Sequence, residues 1–225
     1  MERGLARCLP SIERMLRSVV LICLIFLPAT RCLYGEDAWE SCGILEGGRM
    51  LALAINPQNP EIIYAGTELH GVFKSTDSGA SWFPANNGIS RMNVDSFAIN
   101  PENPEIVYAL ARPNGVFKSV DGGTNWSPVN SGLPNPYGAY IVQALAINPQ
   151  NPEMLYVATY WGVFRTMDGG VSWSEMNGGL AGIRIQFLAI NPQTPETLYA
   201  GAVAATSWER RFNKVPGPPV LNALR

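Results

Sequence analysis

The sequence is poor in the residues that most catalytic and metal centres are built from. It has a single histidine, His70, and four cysteines in 225 residues, so no His/Cys set stands at metal-ligand spacing and no Ser/His/Asp arrangement presents itself. His70 reads as an ordinary loop residue. Blocks of like charge are absent too: 16 Lys and Arg against 18 Asp and Glu give a net charge of −2. That balance leaves no electrostatic footprint for a polyanion, and nucleic acid is not an expected partner. No glycine-rich loop cradles phosphate, and no cofactor or metal is expected. Beyond the first 35 residues there is no amphipathic helical period. The longest apolar run, Ser18–Leu27, is about half of what a membrane-spanning helix needs.

That run follows Arg3, Arg7, Arg14 and Arg17, and the layout is that of a cleaved secretory signal with a cut between Ala29 and Glu36. Met15 is an alternative start. The expected location is therefore secreted, periplasmic or otherwise extracytoplasmic, with no stable membrane span after cleavage. Cys8 and Cys23 leave with the signal, so only Cys32 and Cys42 remain to form an optional disulfide. The sequence L-P-A-T-R-C before Cys32 approaches a lipobox, but Arg31 stands where a small residue is wanted. The expected division is a signal and flank over 1–35, a repeat region over 36–205 and a tail over 206–225.

What is abundant is turn chemistry, with 22 Gly and 18 Pro, and it is periodic. A-I-N-P occurs at Ala54, Ala98, Ala146 and Ala189, in steps of 44, 48 and 43 residues. Each unit runs from a short apolar strand ending in A-I-N-P, through a turn N-P-x-N/T-P-E, to a second strand. A variable loop follows, then the strand G-V-F-K/R-S/T, a turn, and a strand from a Trp into N-x-G-L/I. The strands are β-branched and aromatic and are bounded by Gly, Pro and Asn, which predicts an all-β chain. A four-stranded unit of this size cannot bury both of its faces, so successive units must stack face to face.

The turn before the Trp is S-T-D-S-G-A-S-W at Ser75–Trp82, S-V-D-G-G-T-N-W at Ser119–Trp126 and T-M-D-G-G-V-S-W at Thr166–Trp173. The Asp carboxylate is suited to accept backbone N–H bonds of its own turn, the Gly to supply a positive φ, and the Trp to bury a large ring. These residues, Ser75, Asp77, Gly79 and Trp82, then Ser119, Asp121, Gly123 and Trp126, then Thr166, Asp168, Gly170 and Trp173, resemble the Asp-box, or BNR, repeat of β-propellers. The resemblance covers about residues 39–205 and implies a β-propeller of four-stranded antiparallel blades. It extends to sortilin-type N-terminal domains, to the photosystem II assembly factor group and to secreted bacterial repeat proteins of the YVTN-BNR kind. It also extends to sialidases and xyloglucan-cleaving enzymes, which carry the same box.

The chain supplies three complete blades and part of a fourth. From the Ile of A-I-N-P to the Trp there are 27, 27 and 26 residues in the complete units but 18 in the fourth, from Ile190 to Trp208. The missing residues correspond to the G-V-F-K-S strand and half of its turn, and the tail after Trp208 leaves the pattern. Truncation, deletion or a frame change in a longer gene accounts for both, making the chain a fragment of a larger propeller. Trp39, on the Trp period, is expected to open the outermost strand of a ring-closing blade. If the ring stays open, its end blades present apolar faces suited to self-association.

In a four-stranded meander the first and third turns share one end of the blade, and the second turn shares the other with the blade-to-blade connection. The regular N-P-x-N/T-P-E turns and Asp-boxes thus collect on one side, and the irregular loops on the opposite side. The irregular side is the expected binding face for a protein or carbohydrate: Glu68, His70, Arg91, Arg112, Asn114, Tyr137, Tyr140, Tyr160, Trp161 and Arg184. Asp77, Asp121 and Asp168 lie in separate turns too far apart to act on one bond, so they read as structural. Lys74, Lys118 and Arg165 are expected to point outward into solvent. A non-enzymatic binding or assembly scaffold is the favoured function. A glycoside hydrolase is the alternative, with Glu68 and Asp95 as candidate acids, Glu175 on an outer strand, and Arg91, Arg112 and Arg184 as the arginines a sialidase-like site would need. A truncated, non-functional product is the third reading.

Overall fold

The computed structural model describes residues 49–135, 142–176, 185–202 and the backbone of 221–224. The signal segment, Trp39, the Cys32–Cys42 pair, Tyr137, Tyr140 and Arg184 lie outside the described residues. No helix occurs among those described, and the strands assemble into four antiparallel sheets. Blade 1 comprises β1 (Met50–Ile55), β2 (Ile63–Thr67), β3 (Gly71–Ser75) and β4 (Phe83–Pro84). Blade 2 comprises β5 (Asn93–Ile99), β6 (Val107–Arg112), β7 (Gly115–Ser119) and β8 (Ser127–Pro128). Blade 3 comprises β9 (Val142–Ile147), β10 (Leu155–Thr159), β11 (Gly162–Thr166) and β12 (Ser174–Glu175).

Blade 4 holds β13 (Ile185–Ile190), β14 (Leu198–Ala202) and β15 (Leu221–Leu224). β15 comes from the tail, whose sequence leaves the repeat pattern, yet it pairs with β14 where the missing G-V-F-K-S strand would lie. Ladder bonding at an open strand edge uses the backbone alone, so a sequence without the motif fills the slot. The register puts Ala223 opposite Tyr199, where Lys74 stands opposite Tyr64 and Lys118 opposite Tyr108.

The core lies between blades. Phe97 of β5 packs with Val107, Ala109, Phe117 and Trp126 of blade 2 against Tyr64, Val72 and Ile89 of blade 1. The next interface joins Tyr108, Leu110 and Val116 to Leu145, Leu155, Phe164 and Trp173, and the third joins Tyr156, Ala158 and Val163 to Ile185, Leu198 and Ala200. The inner strands β1, β5, β9 and β13 follow one another side by side, as blades of a propeller do.

The expectation that the third-strand cations are solvated is overturned for two of them. Lys74 Nζ donates to Gly122 O at 2.8 Å and Lys118 Nζ to Gly169 O at 3.0 Å, each onto the Asp-box of the next blade. Tyr64 and Tyr108 donate their hydroxyls to the same two carbonyls, both at 3.0 Å. Each ammonium also sits over the ring of its neighbouring Tyr, 5.5 and 5.3 Å from the centroid. A buried phenol must find an acceptor, and the adjacent blade's turn offers one at the edge of the apolar contact. Burial, and then the neighbouring Glu105 and Asp121, push the Tyr64 hydroxyl up to about 12. In blade 3 the equivalent Tyr156 donates instead to Met154 Sδ, and the Arg165 Nε is buried without an acceptor.

Candidate functional site

The regular side of the arc is built from interlocked turns. In each Asp-box the carboxylate bridges the turn: Asp77 Oδ1 accepts from Ser81 N and Ser75 Oγ at 2.8 Å each, and Asp121 Oδ1 accepts from Asn125 N at 2.9 Å and Ser119 Oγ at 2.8 Å. Asp168 does the same with Ser172 and Thr166. Two successive residues take the left-handed conformation, Ser78–Gly79, Gly122–Gly123 and Gly169–Gly170. The N-P-E turn of the same blade closes on the box through Ser78 N, Gly122 N and Gly169 N, which donate to Glu61 O, Glu105 O and Glu153 O. Every box carboxylate is thus committed within its own turn.

Those donors hold the box acids below the ordinary Asp value. Asp121 is lowered to about 2, chiefly by the Asn125 side chain and amide. Asp168 is lowered to about 2, chiefly by the hydroxyls of Ser172 and Thr166. Asp77 is lowered chiefly by Ser81. A folded-state value below the unfolded one, about 3.9, gives stability that is fully present above that value and is lost as pH falls through the folded one. The thermal midpoint is therefore expected to decline as pH drops from about 4 towards 2, and the Asp121→Asn, Asp168→Asn double variant to show a shallower acid limb in calorimetry. An equally steep limb in that variant would assign the acid sensitivity elsewhere.

At the opposite side the second turns and the connections meet. Leu69 N donates to Asn93 Oδ1 at 2.9 Å, which ties the Glu68–His70 turn of blade 1 to the strand opening blade 2. Asn114 Nδ2 reaches Met92 Sδ at 3.5 Å. His70 is exposed and its Nδ1 contacts Glu68 O at 2.8 Å, while Arg91 is exposed with φ +60°. Arg112 makes a bidentate pair with Asp95, Nε to Oδ2 and Nη2 to Oδ1, both at 2.6 Å. The hydrogen bond to Asp95 raises the Arg112 guanidinium above its ordinary value, and Glu68 of blade 1 and Tyr160 of blade 3 add to it through space. The Tyr160 and Trp161 rings lie 6.4 Å apart at 52°, with Trp161 half-buried against the core between blades 2 and 3.

Two features of this side are not singled out by sequence reasoning. The inner strands each carry one extra residue, Leu51, Asp95, Gln143 and Gln186, between ladder pairs. Such a bulge re-aims the side chain at its position, and at Asp95 the carboxylate is turned to Arg112. The second feature is the Asn of N-x-G-L/I. Asn86 Oδ1 accepts from Val72 N and its Nδ2 donates to His70 O at 2.9 Å, and Asn130 binds Val116 N and Asn114 O in the same way. The periodic Asn anchors the variable loop of its own blade, and its recurrence at Asn86, Asn130 and Asn177 was the available signal.

Among the described residues no group of three His, Cys, Asp or Glu side chains is placed to hold a metal, and no helix is long and apolar enough to cross a membrane. The class defined by these stacked blades is the β-propeller. Solved propeller structures match the chain. An ancestral GH74 enzyme matches with a TM-score of 0.56 and 23% identity over 70% of this chain and 22% of that one. The GH74 xyloglucanase from Xanthomonas campestris matches with a TM-score of 0.54 and 17% identity over 76% and 28%. YCF48 bound to D1 peptide matches with a TM-score of 0.52 and 17% identity over 70% and 47%. The chain spans less than half the length of each of these structures. No family model matches it, and no curated protein matches it in sequence.

Proposed function

We propose that this chain is a non-enzymatic binding or assembly segment of an Asp-box propeller that works outside the cytoplasm, taking a protein or carbohydrate ligand on its irregular-loop face. The observation that carries this reading is the Arg112–Asp95 pair. Glycoside hydrolysis by two carboxyls needs one to give up a proton and the other to act as base or nucleophile. Among the described residues the candidate acids of that face are Glu68 and Asp95, and both oxygens of Asp95 are engaged by one guanidinium. What remains is a mixed surface of His70, Arg91, Arg112, Asn114 and Tyr160 beside the half-buried Trp161, a composition suited to recognition. The structural likeness to a YCF48 that holds a peptide supports protein binding.

The second reading, glycoside hydrolase, is favoured by the likeness to GH74 enzymes. Release of reducing sugar from xyloglucan or a fluorogenic sialoside, abolished by Glu68→Gln, would establish it and end the binding-only proposal. For the favoured reading, peptide and glycan arrays identify a ligand, and the double variant His70→Ala, Arg91→Ala is expected to weaken it about tenfold with an unchanged melting temperature, since both side chains are exposed. Undiminished binding would move the site off this face.

A further inference from the structure

We propose that the two ends of the arc are the two halves of one interface and that a second copy of this chain docks head to tail, its blade 1 seated on the outer face of blade 4. Within the chain blade 1 offers blade 2 both a Tyr hydroxyl and a Gln amide; blade 2 repeats the first of these towards blade 3, and blade 3 repeats the second towards blade 4. Tyr64 and Tyr108 donate to the next Asp-box at Gly122 O and Gly169 O, while Gln58 and Gln150 reach Pro101 O and Pro192 O of the next N-P turn. By repeat register, blade 4 carries the donors of this set at Tyr199 and Gln193, and blade 1 carries the acceptors at Ser78 O and Pro57 O. Among the described residues no hydrogen bond uses these four groups. Ser78 also has the geometry of an acceptor residue, with φ +59° against +63° at both Gly122 and Gly169.

The apolar parts match in the same way. At the first internal interface, Tyr64 packs against Phe97, Ile99, Val107 and Phe117, with the Tyr64 and Phe97 rings 6.1 Å apart. The blade 1 counterparts of Phe97 and Ile99 are Leu53 and Ile55, each 59% exposed. The counterpart of Tyr64 in blade 4 is Tyr199, 39% exposed where Tyr64 and Tyr108 are 1%, and Phe187 beside it is 69% exposed. Trp82 agrees: Trp126 and Trp173 donate their Nε1 to the preceding blade at Ala85 O and Val129 O, whereas Trp82 folds back to Gly79 O of its own turn. The two ends thus carry unlike, complementary groups, which makes the contact heterologous. Inner strands β1 and β13 make no extensive contact with each other within one copy.

Sedimentation velocity and light scattering on the full chain test this. The wild type is expected to associate with rising concentration, and Leu53→Glu and Phe187→Glu are each expected to be monomeric with an unchanged circular dichroism spectrum, both sites being exposed. Mixing the two variants is expected to restore a dimer and nothing larger, because each retains the end the other has lost. A monomeric wild type at tens of micromolar overturns the proposal. So does association that survives both substitutions, which would come from the apolar 18–27 run, and so does loss in only one variant, which would mean like faces pairing. Should either glutamate variant lose its β spectrum, Ile55→Lys and Tyr199→Lys replace the pair with the same expected mixture.

Discussion

Gly132→Ala is expected to destabilise the chain by about 3 kcal/mol, a fall in melting temperature of roughly 10 °C for a domain of this size. Gly132 has φ +91°, and a Cβ there would lie 2.1 Å from Trp173 O, a backbone atom of the next blade. The left-handed conformation alone costs a non-glycine residue about 1–2 kcal/mol. The remainder comes from pushing blade 3 away, since Trp173 N donates to Ser131 O at 2.8 Å at the same point. Gly88 holds the same place against Trp126 O, also at 2.1 Å, so Gly88→Ala should behave alike. Denaturant unfolding that moved by less than about 1 kcal/mol in both variants would show that the blades approach less closely than described.

Trp173→Ala is expected to cost about 3–5 kcal/mol, while the same change at Trp82 costs about 1 kcal/mol. The three box tryptophans occupy one motif position, yet Trp126 and Trp173 are 4% and 5% exposed and reach across to the preceding blade. Trp82 is half-buried with its indole N–H on its own Gly79 O at 3.1 Å. Removing Trp173 opens a cavity in the core it shares with Leu145, Leu155 and Phe164 and leaves Val129 O without its donor. Chemical denaturation of the two single variants checks the contrast, and equal losses would mean that the turn itself, and not the contact between blades, is where the ring contributes. If head-to-tail association occurs, the Trp82 variant should also lose more stability at high protein concentration than at low.

For function, what the irregular side adds is convergence. Leu69 N of blade 1 binds Asn93 Oδ1 of blade 2, and Asn114 in the second turn of blade 2 reaches Met92 of the connection between the two blades. The loops are also held from below by the periodic Asn86 and Asn130, so the variable residues ride on an invariant anchor. That division suits a surface whose specificity changes while its support does not.

The sequence by itself determined the all-β class, the four-strand unit, the sorting of regular and irregular turns and the inner working of each Asp-box. These are local matters: a carboxylate bonding four residues on, a glycine at positive φ, and a spacing that repeats. Only the tertiary structure decided which groups meet across blades. That Lys74 and Tyr64 share Gly122 O, that Asp95 sits on a bulge facing Arg112, that Trp82 differs from Trp173, and that β15 fills an edge its sequence does not advertise all depend on neighbours far along the chain. A motif fixes the geometry of its own few residues, whereas a donor's partner is set by whichever blade packs beside it.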